Sequence, residues 1–178
     1  IMGNHDTAFI KNSEVIKNGR EMNRAMRYSI ECEFGESSPD VLNAISEFLL
    51  SQPLALRCEN RIWLSHSLPD EKKIDKFDLA LFHKQLTDFD LRKEGSAYML
   101  TWGRRHSQTY LKKMAEMFDV DLFVLGHQPQ EQGWKKAADN LLIITSEHNH
   151  GYLLPINLTK SYNIDQLIEE MVPLAAIS

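Results

Sequence analysis

Three stretches of the sequence end an apolar run on side chains that can coordinate a metal or move a proton. Ile1-Met2 leads into a Gly-Asn-His-Asp turn at 3–6, RIWLS leads into His66, and DLFVLG leads into His127. An Asn carbonyl and imidazole nitrogens presented together suit a borderline divalent cation such as Zn²⁺, Mn²⁺ or Fe²⁺. In open α/β sheets the loops at the carboxyl ends of the strands converge on one crevice, so residues in that position share a site even when far apart in sequence. A strand-end His taken alone is more often a hydrogen-bonded structural residue. Three such ends in one chain, with GNHD among them, turn the balance toward a metal site.

The elements that must position these residues follow from periodicity. VDLFVLG (120–126) and NLLIITS (140–146) are continuous apolar runs, as expected of strands covered on both faces. LALRC and RIWLSH, separated by Glu59-Asn60, read as a β-hairpin, and GYLLPINL as a further strand. Met22, Met26 and Ile30 recur at i, i+4, i+8 within 19–34 and predict an amphipathic helix. GESSPD supplies a turn. Asp40 then caps a second helix running to Leu50, with Val41, Leu42, Ile45, Phe48 and Leu49 on one face.

DLALFHKQL reads as a short helix. HSQTYLKKMAEMF reads as a longer one whose Leu111, Met114, Ala115 and Phe118 form a buried stripe. Asn163 begins a closing helix, NIDQLIEEMV. Helices interleaved with buried strands make an α/β layered domain. No internal repeat or Gly/Ser linker divides residues 1–178, which read as a single domain.

Composition narrows the function classes. The chain is 43% apolar and 25% charged, ordinary for a globular protein. Its 20 basic and 25 acidic residues give a net charge of −5, without the clustered basic excess of a nucleic-acid-binding surface. No apolar run reaches the roughly 18 residues of a membrane span, so no membrane partner is expected. Cys32 and Cys58 lack CxxC spacing and read as free thiols of a reducing compartment, which sets the expectation of a cytoplasmic protein. His83 and His106 read as surface or capping residues. Trp63, Trp102 and Trp134 read as packing residues, the last two flanking the site motifs where a groove would run. LKKM and WKKA read as solvated faces.

The ordered motifs resemble the calcineurin-like metallophosphoesterase superfamily, and within it the phosphoprotein (Ser/Thr) phosphatase branch. That branch carries, in order, D-x-H, G-D-x-x-D-R-G, G-N-H-[DE], a strand ending in His, an Arg, a second strand ending in His, and a closing S-x-x-N-Y-type loop. Here GNHD stands at 3–6, QPLALRCENRIWLSHSLPD at 52–70, WGRR at 102–105, FDVDLFVLGHQPQEQGW at 118–134 and LIITSEHNHG at 142–151. The resemblance spans nearly the whole chain. It implies a layered β-sandwich flanked by helices (α/β/β/α). It also implies a phosphomonoesterase in which two divalent metal ions (Mn²⁺, Fe²⁺/Fe³⁺ or Zn²⁺) activate a hydroxide for in-line attack on phosphorus. A phosphoprotein or a small phosphoester would be the substrate.

Carried over residue by residue, the resemblance makes Asn4, His66 and His127 ligands of one metal. His5 would protonate the leaving oxygen, with Asp6 orienting its imidazole. Arg104 or Arg105 would grip the phosphate oxygens, where a guanidinium fork matches their geometry. His150 would take the place of the family's Tyr beside the substrate.

The chain also departs from the pattern. HGG has become His66-Ser67-Leu68, GHQPQ lacks a second His, as in the phosphoprotein phosphatase branch, and SEHNHG lacks the Tyr. D-x-H and G-D-x-x-D-R-G, which in the family supply the second metal's ligands, have no counterpart. The resemblance therefore implies an N-terminally truncated domain with at most one partial metal site, inactive by itself. Its exposed sheet edge would favour a homo-oligomer. Two further readings stay open: a dinucleoside polyphosphate hydrolase of the same fold, and an inactive module that binds without turnover.

Overall fold

A computed structural model describes residues 1–146 and 148–177. GNHD starts a helix, α1 (Asn4–Ile10), where a turn was expected; the Asp6 carboxylate closes its first turn by accepting from the Gly3 N–H at 2.7 Å. A two-stranded hairpin follows, β1 (Ile16–Lys17) and β2 (Arg20–Glu21). It leads into α2 (Met22–Phe34) and α3 (Ser38–Leu50), where Pro39 sits in the first turn and Ser37 takes the cap position expected for Asp40.

These two helices pack on each other and on α1. Each therefore buries only a narrow seam. Ile30 is buried, but Met22 and Met26 are 37% and 45% exposed, so the expected Met stripe lies largely at the surface. Likewise Val41, Leu42, Ile45 and Leu49 are only partly buried and Phe48 is exposed.

The centre is a five-stranded mixed sheet of β3 (Ala55–Arg57), β4 (Ile62–Ser65), β5 (Leu122–Leu125), β6 (Trp134–Ala138) and β7 (Leu141–Ile144), in the order β3-β4-β5-β7-β6. β4, β5 and β7 run parallel, while β3 and β6 are antiparallel edges. Alternate residues of the parallel strands feed two cores. Trp63, Phe123, Leu125, Leu141 and Ile143 pack with α4 (Ser96–Trp102) and α5 (Gln108–Phe118), whose Leu100, Tyr110, Leu111, Met114 and Phe118 share that cluster. Ile62, Leu122, Val124 and Leu142 face the other way, onto Ile164 and Leu167 of α6 (Ile164–Glu169). Burial on both faces is why these strands are continuously apolar in sequence.

Asn163 caps α6 as expected, accepting from the Gln166 N–H. The expected strand over GYLLPINL shrinks to β8 (Tyr152–Leu153), paired with β9 (Val172–Pro173). DLALFHKQL forms a 3₁₀ turn over Leu79–His83. Among the described residues no helix is long and apolar enough to cross a membrane.

Candidate functional site

The parallel strands deliver their carboxyl ends to one edge. Ser65 pairs with Leu125 and Leu125 with Ile143, so His66, His127 and Thr145 leave the sheet side by side. Met2 is anchored by its N–H on the Pro53 carbonyl at 2.9 Å, which brings Gly3 and Asn4 over the end of β4. Gly3 allows the approach: a Cβ there would stand 3.0 Å from His66 Nδ1. Asn4 Oδ1 reaches 2.8 Å from His66 Nε2, and His127 Nδ1 lies 3.0 Å from the same nitrogen. His127 adopts φ +65°, a left-handed conformation that turns its ring back toward β4.

Burial dominates the electrostatics of the pair. It draws the His66 pKa down to about 4, against the attraction of Asp6 and with help from the charges of His5 and Arg104. It draws His127 down to about 3, reinforced by His66 and Arg104 and opposed by the Trp102 backbone. Both rings are thus neutral at pH 7, the state a metal ligand requires. His127 Nε2 is buried without a hydrogen-bond partner among the described residues.

His66 Nε2, with an amide oxygen and a second imidazole nitrogen each about 3 Å from it, has the donor spacing expected around one small cation with bonds of roughly 2.0–2.2 Å. The donor set fits a borderline divalent ion. It contains no carboxylate, and among the described residues no group of three or more His, Cys, Asp or Glu side chains is placed to hold a metal.

A cleft of about 540 Å³ opens over these atoms. Asn4, His5, His66, His127 and Arg104 line it, with Trp102, Gln128, Pro129, Thr145 and the segment Val15–Asn18. Arg104 is fixed through its backbone. Asp70 Oδ1 accepts from the N–H groups of Arg104 and Arg105 at 2.8 and 3.0 Å. The Ser67 hydroxyl bonds the Gly103 carbonyl, His106 Nε2 donates to the Leu68 carbonyl at 3.1 Å, and the Tyr110 hydroxyl donates to the Pro69 carbonyl at 2.8 Å. Gly103 belongs to this seam, since a Cβ there would lie 1.8 Å from the Leu68 oxygen. The loop carrying His66 and the segment carrying Arg104 are therefore one unit. His106, expected as a surface or capping residue, is a strut of it, its pKa lowered by burial.

The structure brings Asn4, His5, His66, His127 and Arg104 together. It distinguishes the two arginines: Arg104 lines the cleft and Arg105 does not. Asp6 directs Oδ2 at the Gly3 N–H. His150 stands outside the cleft lining; its N–H donates to His148 Nδ1, and His148 Nε2 donates to the Gln130 carbonyl. Sequence reasoning missed the wall formed by Val15, Ile16, Lys17 and Asn18, although Asn18-Gly19 is a strong hairpin-turn signal. No family model matches the chain, and no curated protein matches it.

Proposed function

We propose that this site holds a phosphoryl group against one divalent cation and serves phosphoester hydrolysis of the metallophosphoesterase type. The observation that carries the reading is the approach of Asn4 Oδ1 and His127 Nδ1 to His66 Nε2, at 2.8 and 3.0 Å, in a cleft that Arg104 also lines. The cation would rest on those three atoms and supply Lewis-acid neutralisation of charge developing on the phosphoryl oxygens. Arg104 binds and orients the same oxygens. His5, at the cleft surface, is the candidate proton donor to the leaving oxygen. A mixed sheet with helices on both faces is in keeping with one layer of the metallophosphoesterase sandwich.

A second reading rests on the donor set among the described residues, one amide oxygen and two imidazoles: a module that captures a phosphoryl group without turnover. Binding of inorganic phosphate, titrated with and without Mn²⁺, tests the shared premise. Phosphate binding should require Mn²⁺ and be lost in Arg104→Ala; binding indifferent to both removes the premise. Turnover of p-nitrophenyl phosphate then separates the readings. Hydrolysis abolished by His66→Ala supports the hydrolase, whereas capture without turnover assigns the chain to the binding class.

A further inference from the structure

The floor of the cleft is polar, yet part of its wall is not, and that wall belongs to the β1–β2 hairpin. The hairpin turns through Asn18 and Gly19, both left-handed at φ 51° and 74°, as a two-residue type I′ turn requires. A two-stranded hairpin alone is marginal in water. Here one carboxylate closes its neck. Glu14 Oε1 accepts from the N–H groups of Val15 and Asn23 at 3.1 and 2.7 Å, and Oε2 from the Arg24 N–H at 2.9 Å. The Met22 N–H completes the closure on the Val15 carbonyl at 3.0 Å. Both ends of the segment are fixed at one point, and its tip is held along the cleft.

Successive side chains on this strand have opposite fates. Val15 is 7% exposed and Ile16 71% exposed; both line the cleft, and Ile16 is the one whose side chain stands in solvent there. Its cross-strand partner is Glu21, so the hairpin gives Ile16 no apolar neighbour. A single exposed Ile ordinarily signals nothing. This one lies on a cleft that also presents Trp102 and Pro129, and that is far larger than a phosphoryl group fills. The Trp102 ring is held there, stacked on Tyr98 at 5.3 Å and edge-on to His127 at 6.2 Å.

We propose that the β1–β2 hairpin is the specificity wall of the site, with Ile16 and Trp102 taking the ring of an aryl phosphate whose phosphoryl group rests on Arg104. The inference rests on the phosphoryl-binding reading above. A compact alkyl ester leaves both apolar surfaces in water, whereas a planar ring covers them.

Calorimetric titration with phenylphosphonate and methylphosphonate in the presence of Mn²⁺ tests this without turnover, because the P–C bond is stable. Wild type should bind phenylphosphonate about tenfold more tightly than methylphosphonate. In Ile16→Ser the ratio should fall to within about twofold. Ile16 is exposed, so the substitution leaves the core intact, and an unchanged thermal midpoint checks this. Equal wild-type affinities, or a ratio that persists in Ile16→Ser while both affinities fall together, overturn the specificity wall alone. Failure of the wild type to bind either phosphonate overturns the phosphoryl reading beneath it.

Discussion

Asp70→Ala removes one carboxylate oxygen that serves two backbone donors, the N–H groups of Arg104 and Arg105. Hydrogen bonds to a charged group contribute roughly 1.5–3 kcal/mol each. One oxygen shared by two donors at a partly exposed residue contributes less than twice that, so Asp70→Ala should cost about 2 kcal/mol and Asp70→Asn about half as much. Burial alone would raise this carboxyl's pKa; the two N–H groups outweigh it and hold the value below the usual range. A depressed folded-state pKa contributes stability that is complete above the unfolded value, near 3.9, and is lost as pH falls through the folded one. Urea unfolding at neutral pH should therefore show the full cost, and the gap between wild type and Asp70→Asn should narrow toward pH 3. Because the same bonds hold Arg104 over the cleft, Mn²⁺-dependent phosphate affinity should fall severalfold in Asp70→Ala. Wild-type stability and wild-type phosphate affinity in that variant would refute the claim that this seam positions the arginine.

Gly3→Ala places a methyl group 3.0 Å from His66 Nδ1 and 3.1 Å from Cε1, so the ring must shift by a few tenths of an ångström. Mn²⁺ affinity should drop about tenfold with little change in thermal midpoint; an unaltered affinity contradicts the described approach of α1 to β4. His66 and His127 fold as neutral rings, with pKa values near 4 and 3 against about 6.5 when unfolded. Their contribution is complete above about pH 6.5 and is lost as pH falls toward 4, a loss on the order of a few kcal/mol for the metal-free chain. Urea midpoints measured between pH 7 and 4.5 should decline, and less steeply in His66→Gln; a flat wild-type profile counts against neutral burial of the pair.

Much of the sheet was legible because its central strands are buried on both faces, which leaves no periodicity to misread. β5 and β7 fall inside the runs 120–126 and 140–146. α5 was legible for the opposite reason, its one-sided stripe being wide enough to show. β6 was not. It is an edge strand whose Lys135 and Lys136 are exposed, so WKKA looks like a solvated face. The Met pattern of α2 signalled a helix correctly but not its depth, since a helix that packs mainly on other small helices leaves most of its apolar face uncovered.

At the site, the strand-end positions of His66 and His127 anticipated their meeting, because parallel neighbours end together. Which of two adjacent arginines faces the cleft depends on the local path after Gly103, which composition does not encode. The hairpin wall was written in Asn18-Gly19, but its location over the cleft depends on the clamp from Glu14 to Asn23 and Arg24, a tertiary fact.

Direct titration of Mn²⁺ into the wild-type chain and into Asn4→Ala, His66→Ala and His127→Ala tests the central claim most closely. One equivalent should bind the wild type, and each substitution should weaken binding at least about tenfold, since loss of even an outer-shell partner of a metal ligand costs about that much. Absence of saturable binding, or binding that survives both histidine substitutions, would contradict the assignment of Asn4, His66 and His127 to one cation.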